Sequence, residues 1–267
     1  MTGSDQYEVF AVRYATRGQR KRLESFIMAD YHDGPMPIDY FVWAVTNNER
    51  TIIVDTGFDH AEAKLRNRVL TRLPREGLAM LEIDASTVKD VVVTHLHYDH
   101  AGTTDHFPQA RFHLQEKEMR FTTGRHMCQH LFSHAFAPEH VCKMVEHLYK
   151  GRLAFHDGDE EIAPGVSVHL IGGHTMGIQC VRVNTARGPV LLASDATHFY
   201  ENFEKTSPFP IVYSVADMVA GYDKMRKLAA SPKHIIPGHD PLVMQRYPTP
   251  RKALEGVVVR LDVAPAG

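Results

Sequence analysis

Little in this chain of 267 residues is sulfur, and none of it is arranged as a framework. The three cysteines, Cys128, Cys142 and Cys180, are odd in number and far apart. They form no C-x-x-C pair, which argues against a disulfide scaffold and against thiolate zinc ligation, and suits a reducing compartment. Long apolar runs are also missing. No stretch approaches 18 apolar residues, so no transmembrane helix is expected. The N-terminal MTGSDQYEVFAVRYATRGQRKR has no apolar segment of the kind a secretory signal needs. These absences together give a cytoplasmic expectation, with no membrane partner. Positive charge is not in excess either. The net charge is -2 and the pI near 6.8, where a dedicated nucleic-acid binder is usually basic. There is no G-x-x-x-x-G-K-[ST] phosphate loop, no G-x-S-x-G nucleophile elbow, no repeat and no low-complexity segment.

Apolar residues, at 43%, are ample for a core. Short β-rich runs fall at 40–46, 51–55, 91–94, 111–114, 166–171, 179–183, 190–193 and 234–236, with Asn47-Asn48 as a hairpin turn. Helical patterns fall at 60–69, 115–121, 139–149 and 215–228, and Pro138 suits the first turn of the third. Strands come in blocks with helices between them and no long linker intervenes. The expectation is one α/β domain over 1–267: two sheets, helices outside, and the loops at one end carrying function. The His-rich stretch 124–138 reads as an irregular insertion or lid.

What is abundant is histidine, 18 in all. Its densest run is Thr94-His95-Leu96-His97-Tyr98-Asp99-His100-Ala101-Gly102, directly after Val91-Val92-Val93. Imidazole and carboxylate are donors that Zn²⁺ and related ions accept. In extended backbone, residues two apart point the same way, so His95 and His97 can grip one ion. Asp99 and His100 are adjacent and diverge, which hints at a second ion. Chance clustering and surface histidines are the plain alternative, but four chelators in six positions behind a buried strand fit it poorly. Three further apolar runs each end in a turn bearing a chelator: Gly172-Gly173-His174-Thr175, Ser194-Asp195-Ala196 and Pro237-Gly238-His239-Asp240. Each is weak alone. Together with the first cluster they supply five histidines and two aspartates, enough for two ions with room for a shared water.

The H-x-H-x-D-H pattern followed by His174, Asp195 and His239 resembles the metallo-β-lactamase superfamily. The resemblance runs from Asp55-Thr56-Gly57 to Pro237-Gly238-His239-Asp240. Its intervals, from 174 to 195 and from 195 to 239, and the stretch Asp195-Ala196-Thr197-His198 are similar to the N-acyl-homoserine lactonases within that superfamily. The resemblance implies an αββα sandwich of two mixed sheets with helices outside. It implies that His95, His97 and His174 hold one metal, that Asp99, His100 and His239 hold a second, and that Asp195 bridges them with a hydroxide. The cofactor is two divalent ions, zinc first, with iron or manganese accepting the same donors. Asp55 matches a carboxylate that orients a ligand histidine; a strand-end turn residue is the equal alternative.

The implied activity is hydrolysis of a small-molecule substrate, the opening of an N-acyl-homoserine lactone or related cyclic ester, with Asp99 relaying a proton to the leaving oxygen. A glyoxalase-II-like thiolesterase is the runner-up, weakened because no helical region is evident after His239. A nuclease lacks its basic exosite, a β-lactamase usually carries a signal peptide, and a non-catalytic metal-dependent sensor is the reading from a different class. One departure stands out. Lactonases of this type commonly carry a Tyr three residues after the bridging Asp, where this chain has His198. His198 could donate the same hydrogen bond or act as an acid, with Tyr200 as its substitute. Met28, Tyr31, Met36, Phe121, Met127, Phe132 and Phe136 are candidates to line a groove for an apolar chain, with ordinary core or surface packing as the alternative. A homodimer is left open.

Overall fold

The computed structural model describes residues 5–28 and 33–266. Thirteen strands are formed: β1 Glu8–Arg17, β2 Ile38–Thr46, β3 Thr51–Val54, β4 Val69–Leu70, β5 Asp90–Val92, β6 Arg111–Gln115, β7 Leu153–His156, β8 Glu160–Ala163, β9 Val166–Leu170, β10 Gln179–Thr185, β11 Gly188–Ser194, β12 Ile235–Pro237 and β13 Val258–Arg260. They make two sheets. The first runs β13-β1-β2-β3-β5-β6-β7, with β4 also paired to β1. The second runs β12-β11-β10-β9-β8. Both are mixed. Within the first, β3, β5 and β6 are parallel neighbours while β1, β2 and β3 are antiparallel. Within the second, β11 and β12 are parallel and the rest antiparallel. Helices α1 His60–Leu65, α2 Pro74–Ala79, α3 Glu116–Thr122, α4 His130–Ser133, α5 Pro138–Tyr149, α6 Tyr200–Glu204, α7 Val215–Leu228 and α8 Leu242–Arg246 complete the chain. None of the described helices is long and apolar enough to cross a membrane.

The αββα layering follows from the period of two in a strand. Along β2, Phe41, Trp43 and Val45 enter one apolar cluster and Tyr40, Val42 and Ala44 enter the other. The first cluster holds Val166, Val168, Val181 and Leu192 of the facing sheet together with Met218, Tyr222 and Met225 of α7. The second holds Leu78, Ala63 and Met144 from the helices on the opposite side. β5 splits the same way, with Val92 in the first cluster and Val91 and Val93 in the second. A strand buried on both faces reads as a continuous apolar run, which is why Val91-Val92-Val93 shows no alternation.

Several boundaries differ from the sequence expectation. The helix expected over 60–69 ends at Leu65, where Arg66 caps it and the chain turns to pair β4 with β1. Five strands, β1, β4, β7, β8 and β13, and four short helices, α2, α4, α6 and α8, were not expected. The 124–138 stretch is partly regular: a 3₁₀ turn at Arg125–Cys128, then α4, then Phe136 in an isolated bridge to His97.

Direction of travel places the functional loops. β3, β5 and β6 are parallel, as are β11 and β12, and β9 runs with β11 because both are antiparallel to β10. Asp55, the 94–100 segment, Gly172 to His174, Asp195 and His239 therefore all leave carboxyl ends of strands at one edge of the sandwich. Ligand sites in open α/β sheets favour that edge.

One residue the sequence did not single out ties these loops together. Glu118, on α3, is fully buried. Its carboxylate accepts from the Leu96 N–H (3.0 Å), the Thr175 hydroxyl (2.6 Å) and the Gly177 N–H (3.0 Å). It thus joins the His95–His97 segment to the His174 loop. Removing it leaves three buried donors unpaired, which costs about 2–5 kcal/mol. Glu118→Ala is expected to lose stability in that range by urea denaturation; a loss below about 1 kcal/mol would show that the loops are held otherwise.

Candidate metal centre

Asp55, at the end of β3, sits beneath the site with φ +63° and no exposure. A non-glycine residue in that region is uncommon and needs its surroundings to hold it. Here three groups do so. One carboxylate oxygen accepts from the Thr94 N–H (2.7 Å), the other from the Thr94 hydroxyl (2.8 Å) and His100 Nδ1 (2.7 Å). Ser194, with φ +46°, closes the network from the second sheet, its hydroxyl 2.9 Å from that of Thr94 and 3.3 Å from Asp55. Of the two readings for Asp55, the geometry is that of a carboxylate orienting a histidine.

Each outer histidine is fixed through Nδ1, which aims Nε2 inward. His100 is held by Asp55, His174 by the Ile211 carbonyl (2.6 Å) and His239 by the Asp39 carbonyl (2.8 Å). The inward atoms meet at Asp195. His100 Nε2 lies 3.4 Å from one carboxylate oxygen and His239 Nε2 3.1 Å from the same one; His174 Nε2 lies 3.4 Å and His95 Nε2 3.9 Å from the other. His95 Nε2 and His97 Nδ1 face each other at 3.0 Å. Asp99 faces His239 (3.6 Å) and His100 (3.7 Å). All seven residues named from the sequence come together, and all are buried. They form two groups able to hold a cation, His95, His97, His174 and Asp195 on one side and Asp99, His100 and His239 on the other, and a third set, Asp195, His198 and His239, links them.

The donor chemistry fits divalent ions. His100 Nε2, His174 Nε2 and Asp195 Oδ1 are buried without hydrogen-bond partners, an arrangement proteins rarely leave unless something else satisfies it. Burial, with His100 and His174 nearby, pushes His95 and His97 well below the ordinary imidazole pKa, toward the neutral form that ligates. For Asp195, burial opposes ionisation, but His239, His100 and His198 outweigh it and keep the carboxyl well below its usual range. Burial likewise opposes charge on His100, and Asp195, Asp55 and Asp99 overcome it.

His198 joins this centre from the turn after Asp195. Its Nε2 is 3.0 Å from Asp195 Oδ2, and its ring stacks on Phe209 at 3.5 Å between centroids. Burial pushes its pKa down to about 3, so the ring is neutral near pH 7 rather than charging near pH 6.5. Tyr200 does not substitute for it. Its ring lies under Arg246, its N–H is bound to Asp240, and it lines a separate hollow with Met36.

The hollow over the metal-type cluster measures about 470 Å³. Its walls differ from the sequence expectation. Met28 is solvent-exposed, Tyr31 lies outside the described residues, and Phe121, Phe132 and Phe136 form an aromatic cluster with Tyr213 beside the hollow, with Met127 partly buried in the same apolar layer. None of the six described candidates borders the hollow. Phe136 instead packs edge-on against the His97 ring at 4.4 Å. What lines the hollow outside the metal-type cluster includes Ile38, Tyr40, Tyr98 and four arginines, Arg17, Arg20, Arg66 and Arg68. The arginines were missed because they are scattered singly over two segments with no local motif.

A family model described as the metallo-beta-lactamase superfamily matches residues 37–239, and the chain belongs to that superfamily. Among curated relatives, an N-acyl homoserine lactonase of a Bacillus species is 28% identical over 189 residues, covering 64% of this chain and 70% of its own. Among solved structures, a Bacillus thuringiensis AiiA mutant with N-decanoyl-L-homoserine bound at its active site superposes with a TM-score of 0.74 at 20% identity, over 91% of this chain and 96% of that one. AidC, a dizinc quorum-quenching lactonase bound to a product, superposes with a TM-score of 0.65 at 15% identity, over 87% and 86%. These structural likenesses bear on the fold.

Close packing at the centre has a testable consequence. A Cβ on Gly238 would lie 2.4 Å from Asp195 Oδ1 and 2.7 Å from the Ser194 carbonyl carbon. Only glycine lets the His239 turn approach that closely. Gly238→Ala is expected to lose about 1–3 kcal/mol in a denaturation experiment and to move the Asp195 carboxylate in a crystal structure. Unchanged stability with Asp195 in place would show that the turn has slack.

Proposed function

We propose that this protein is a dinuclear metal-dependent hydrolase that opens lactone rings. The observation that carries the proposal is the convergence of seven buried donors at one point, with Asp195 at their centre. The curated N-acyl homoserine lactonases similar to this chain, and the dizinc lactonase that shares its fold, support it. In this reading His95, His97 and His174 hold one cation, Asp99, His100 and His239 the other, and Asp195 spans both. When bound, the cations supply Lewis acidity toward an ester carbonyl and water acidified to a pKa of about 7. Zinc is the first choice on the likeness to a dizinc lactonase, since the nitrogen and oxygen donors alone would also accept iron or manganese.

The chain's own residues do the rest. Asp99, at the border of the hollow, takes a proton and returns it to the leaving ring oxygen. His198, neutral and held flat on Phe209, turns its Nε2–H from Asp195 toward a substrate oxygen. Asp55 and the Asp39 and Ile211 carbonyls keep the His100, His239 and His174 rings from rotating, so those three need no reorganisation during the reaction. No serine or cysteine nucleophile takes part. Tyr40, set edge-on to His239 at 5.0 Å between ring centroids, and Tyr98 wall the hollow beside Asp99.

Purified protein is expected to carry about two ions per chain, to lose γ-lactone hydrolysis on chelation and to regain it with zinc. One tight ion with no activation by a second would overturn the dinuclear reading. Hydrolysis of thioesters but not lactones, across a panel that includes phosphodiesters, would overturn the substrate class. Within an active enzyme, Asp99→Asn is expected to lower kcat by about 10²–10⁴-fold with little change in stability, the range for a lost proton carrier. His198→Ala is expected to cost about 10–10³-fold, with partial recovery in His198→Tyr. Rates and pH profiles unchanged in His198→Ala would remove that residue from the reaction.

A further inference from the structure

Four guanidinium groups, Arg17, Arg20, Arg66 and Arg68, border the hollow above the metal-type cluster. Two of them have carboxylate partners. Arg17 pairs with Glu24 at 2.8 Å and Arg66 with Glu62 at 2.7 Å. Arg66 is further spent on the His134 and Phe136 carbonyls, so it rivets the wall. Arg20 and Arg68 are different. Neither has a carboxylate within ion-pair distance among the described residues.

Arg20 is only 6% exposed, and its fork is bound to the Ser25 hydroxyl and the Glu24 carbonyl, both uncharged. Burial pushes its pKa down to about 10, against the pull of the Glu24 carboxylate, which also borders the hollow but is paired with Arg17, and the neighbouring charges of Arg17 and Arg68 add to the effect of burial. Arg68 donates through Nε to the Tyr98 hydroxyl at 3.0 Å and through Nη1 to the Arg66 carbonyl. Its Nη2 has no hydrogen-bond partner among the described residues. The Tyr98 hydroxyl is 3.2 Å from that of Tyr40, so a chain of neutral hydroxyls holds the Arg68 fork at the wall of the hollow. Deeper in, Asp99 and Asp195 face the histidines rather than these arginines at contact distance.

Arg20 is buried and Arg68 half-buried, and neither is paired with a carboxylate; withdrawing an unpaired guanidinium from water is costly, and a chain that keeps one in a ligand cavity commonly uses it on the ligand. Guanidinium is the side chain best shaped for oxyanions. We propose that the substrate carries an oxyanion of its own, a carboxylate or phosphate separate from the ester, and that Arg68 and Arg20 bind it while the ester lies over the metal-type cluster. This rests on the hydrolase reading and narrows it from neutral lactones to anionic ones. Arg68 and Arg20 are then specificity-determining, acting on binding rather than on the reacting bond.

The test compares three γ-lactones with the metal-loaded enzyme: γ-butyrolactone, its ring-carboxylate derivative, and a derivative carrying a phosphomonoester on a hydroxymethyl arm. The carboxylate or the phosphate lactone is expected to exceed the neutral one in kcat/KM by about 10-fold or more. Arg68→Gln is expected to lower the anionic lactone's kcat/KM about 10–100-fold more than the neutral one's, chiefly through KM, with partial recovery in Arg68→Lys. Arg20→Gln should act in the same direction. Equal use of all three lactones by the wild type, or an equal loss on all three in Arg68→Gln, would overturn the proposal. Calorimetry separates its failure from that of the lactonase reading. Even where no lactone is hydrolysed, 2-hydroxyglutarate should bind more tightly than 4-hydroxybutyrate, and Arg68→Gln should abolish the difference; equal binding overturns it.

Discussion

Everything at the functional edge depends on Asp55 and the small polar cluster around it. Its carboxylate reaches Thr94 at the end of β5 and His100 across the intervening loop, and Ser194 at the end of β11 in the other sheet. Here the two sheets are joined by polar contact rather than by apolar packing, as they are also where Gln179 of β10 bonds to Gln115 and to the Val93 and His113 carbonyls. A carboxylate with no exposure is tolerated only when it is well hydrogen-bonded, and here both oxygens accept. Two residues in left-handed backbone, Asp55 and Ser194, belong to the same cluster. Strain of about 1–3 kcal/mol at each is held by the surrounding hydrogen bonds. The strained turns redirect the chain so that Thr94 and Asp195 present their neighbours to a common point.

The donor loops and the core are therefore one construction. Apolar side chains of β2, β5, β9, β10 and β11 fuse the sheets face to face. The parallel strands then deliver their carboxyl ends together, and polar residues occupy the place where the apolar filling stops. Glu118 and Asp55 serve the two halves of the cluster in the same manner, each a buried carboxylate that accepts from three groups on segments distant in the chain. The histidines are thereby rigid before any cation arrives, which lowers the ordering cost of binding one.

How much of this was legible depended on whether the signal was local. His95, His97, Asp99 and His100 are a contiguous pattern behind an apolar run, so the sequence pointed to them, and the three turns bearing His174, Asp195 and His239, each at the end of an apolar run, repeat one local grammar. The helix over 215–228 was recovered with its bounds because its Ser214 cap and its periodic apolar face both lie within one segment. β1 escaped notice although it is the longest strand. Both of its faces are buried, Val9 and Ala11 toward one layer and Phe10, Val12 and Tyr14 toward the other, which removes the polar alternation that marks a surface strand. Glu118 escaped for the opposite reason. In sequence it is one acid among the charged residues at the start of a helix, and only the fold brings Leu96 and Gly177 to it.

The walls of the hollow show the same limit in its strongest form. Expectation favoured Met and Phe residues because apolar side chains are what most pockets contain. In the structure three of those aromatics turn to one another and to Tyr213, since rings gain more from edge-to-face packing than from exposure to an open cavity. The space they vacate is bordered by arginines from β1, from the turn after it and from the segment joining α1 to β4. β4 pairs with β1 at Ala15 and Thr16, which draws Arg66 and Arg68 to the side of the sandwich where Arg17 and Arg20 stand. A two-residue strand, too short for any propensity to reveal, thus sets the electrostatic character of the cavity. The donors on the floor derive from motifs that a reader of the sequence can find; the charge at the mouth derives from one short pairing in three dimensions.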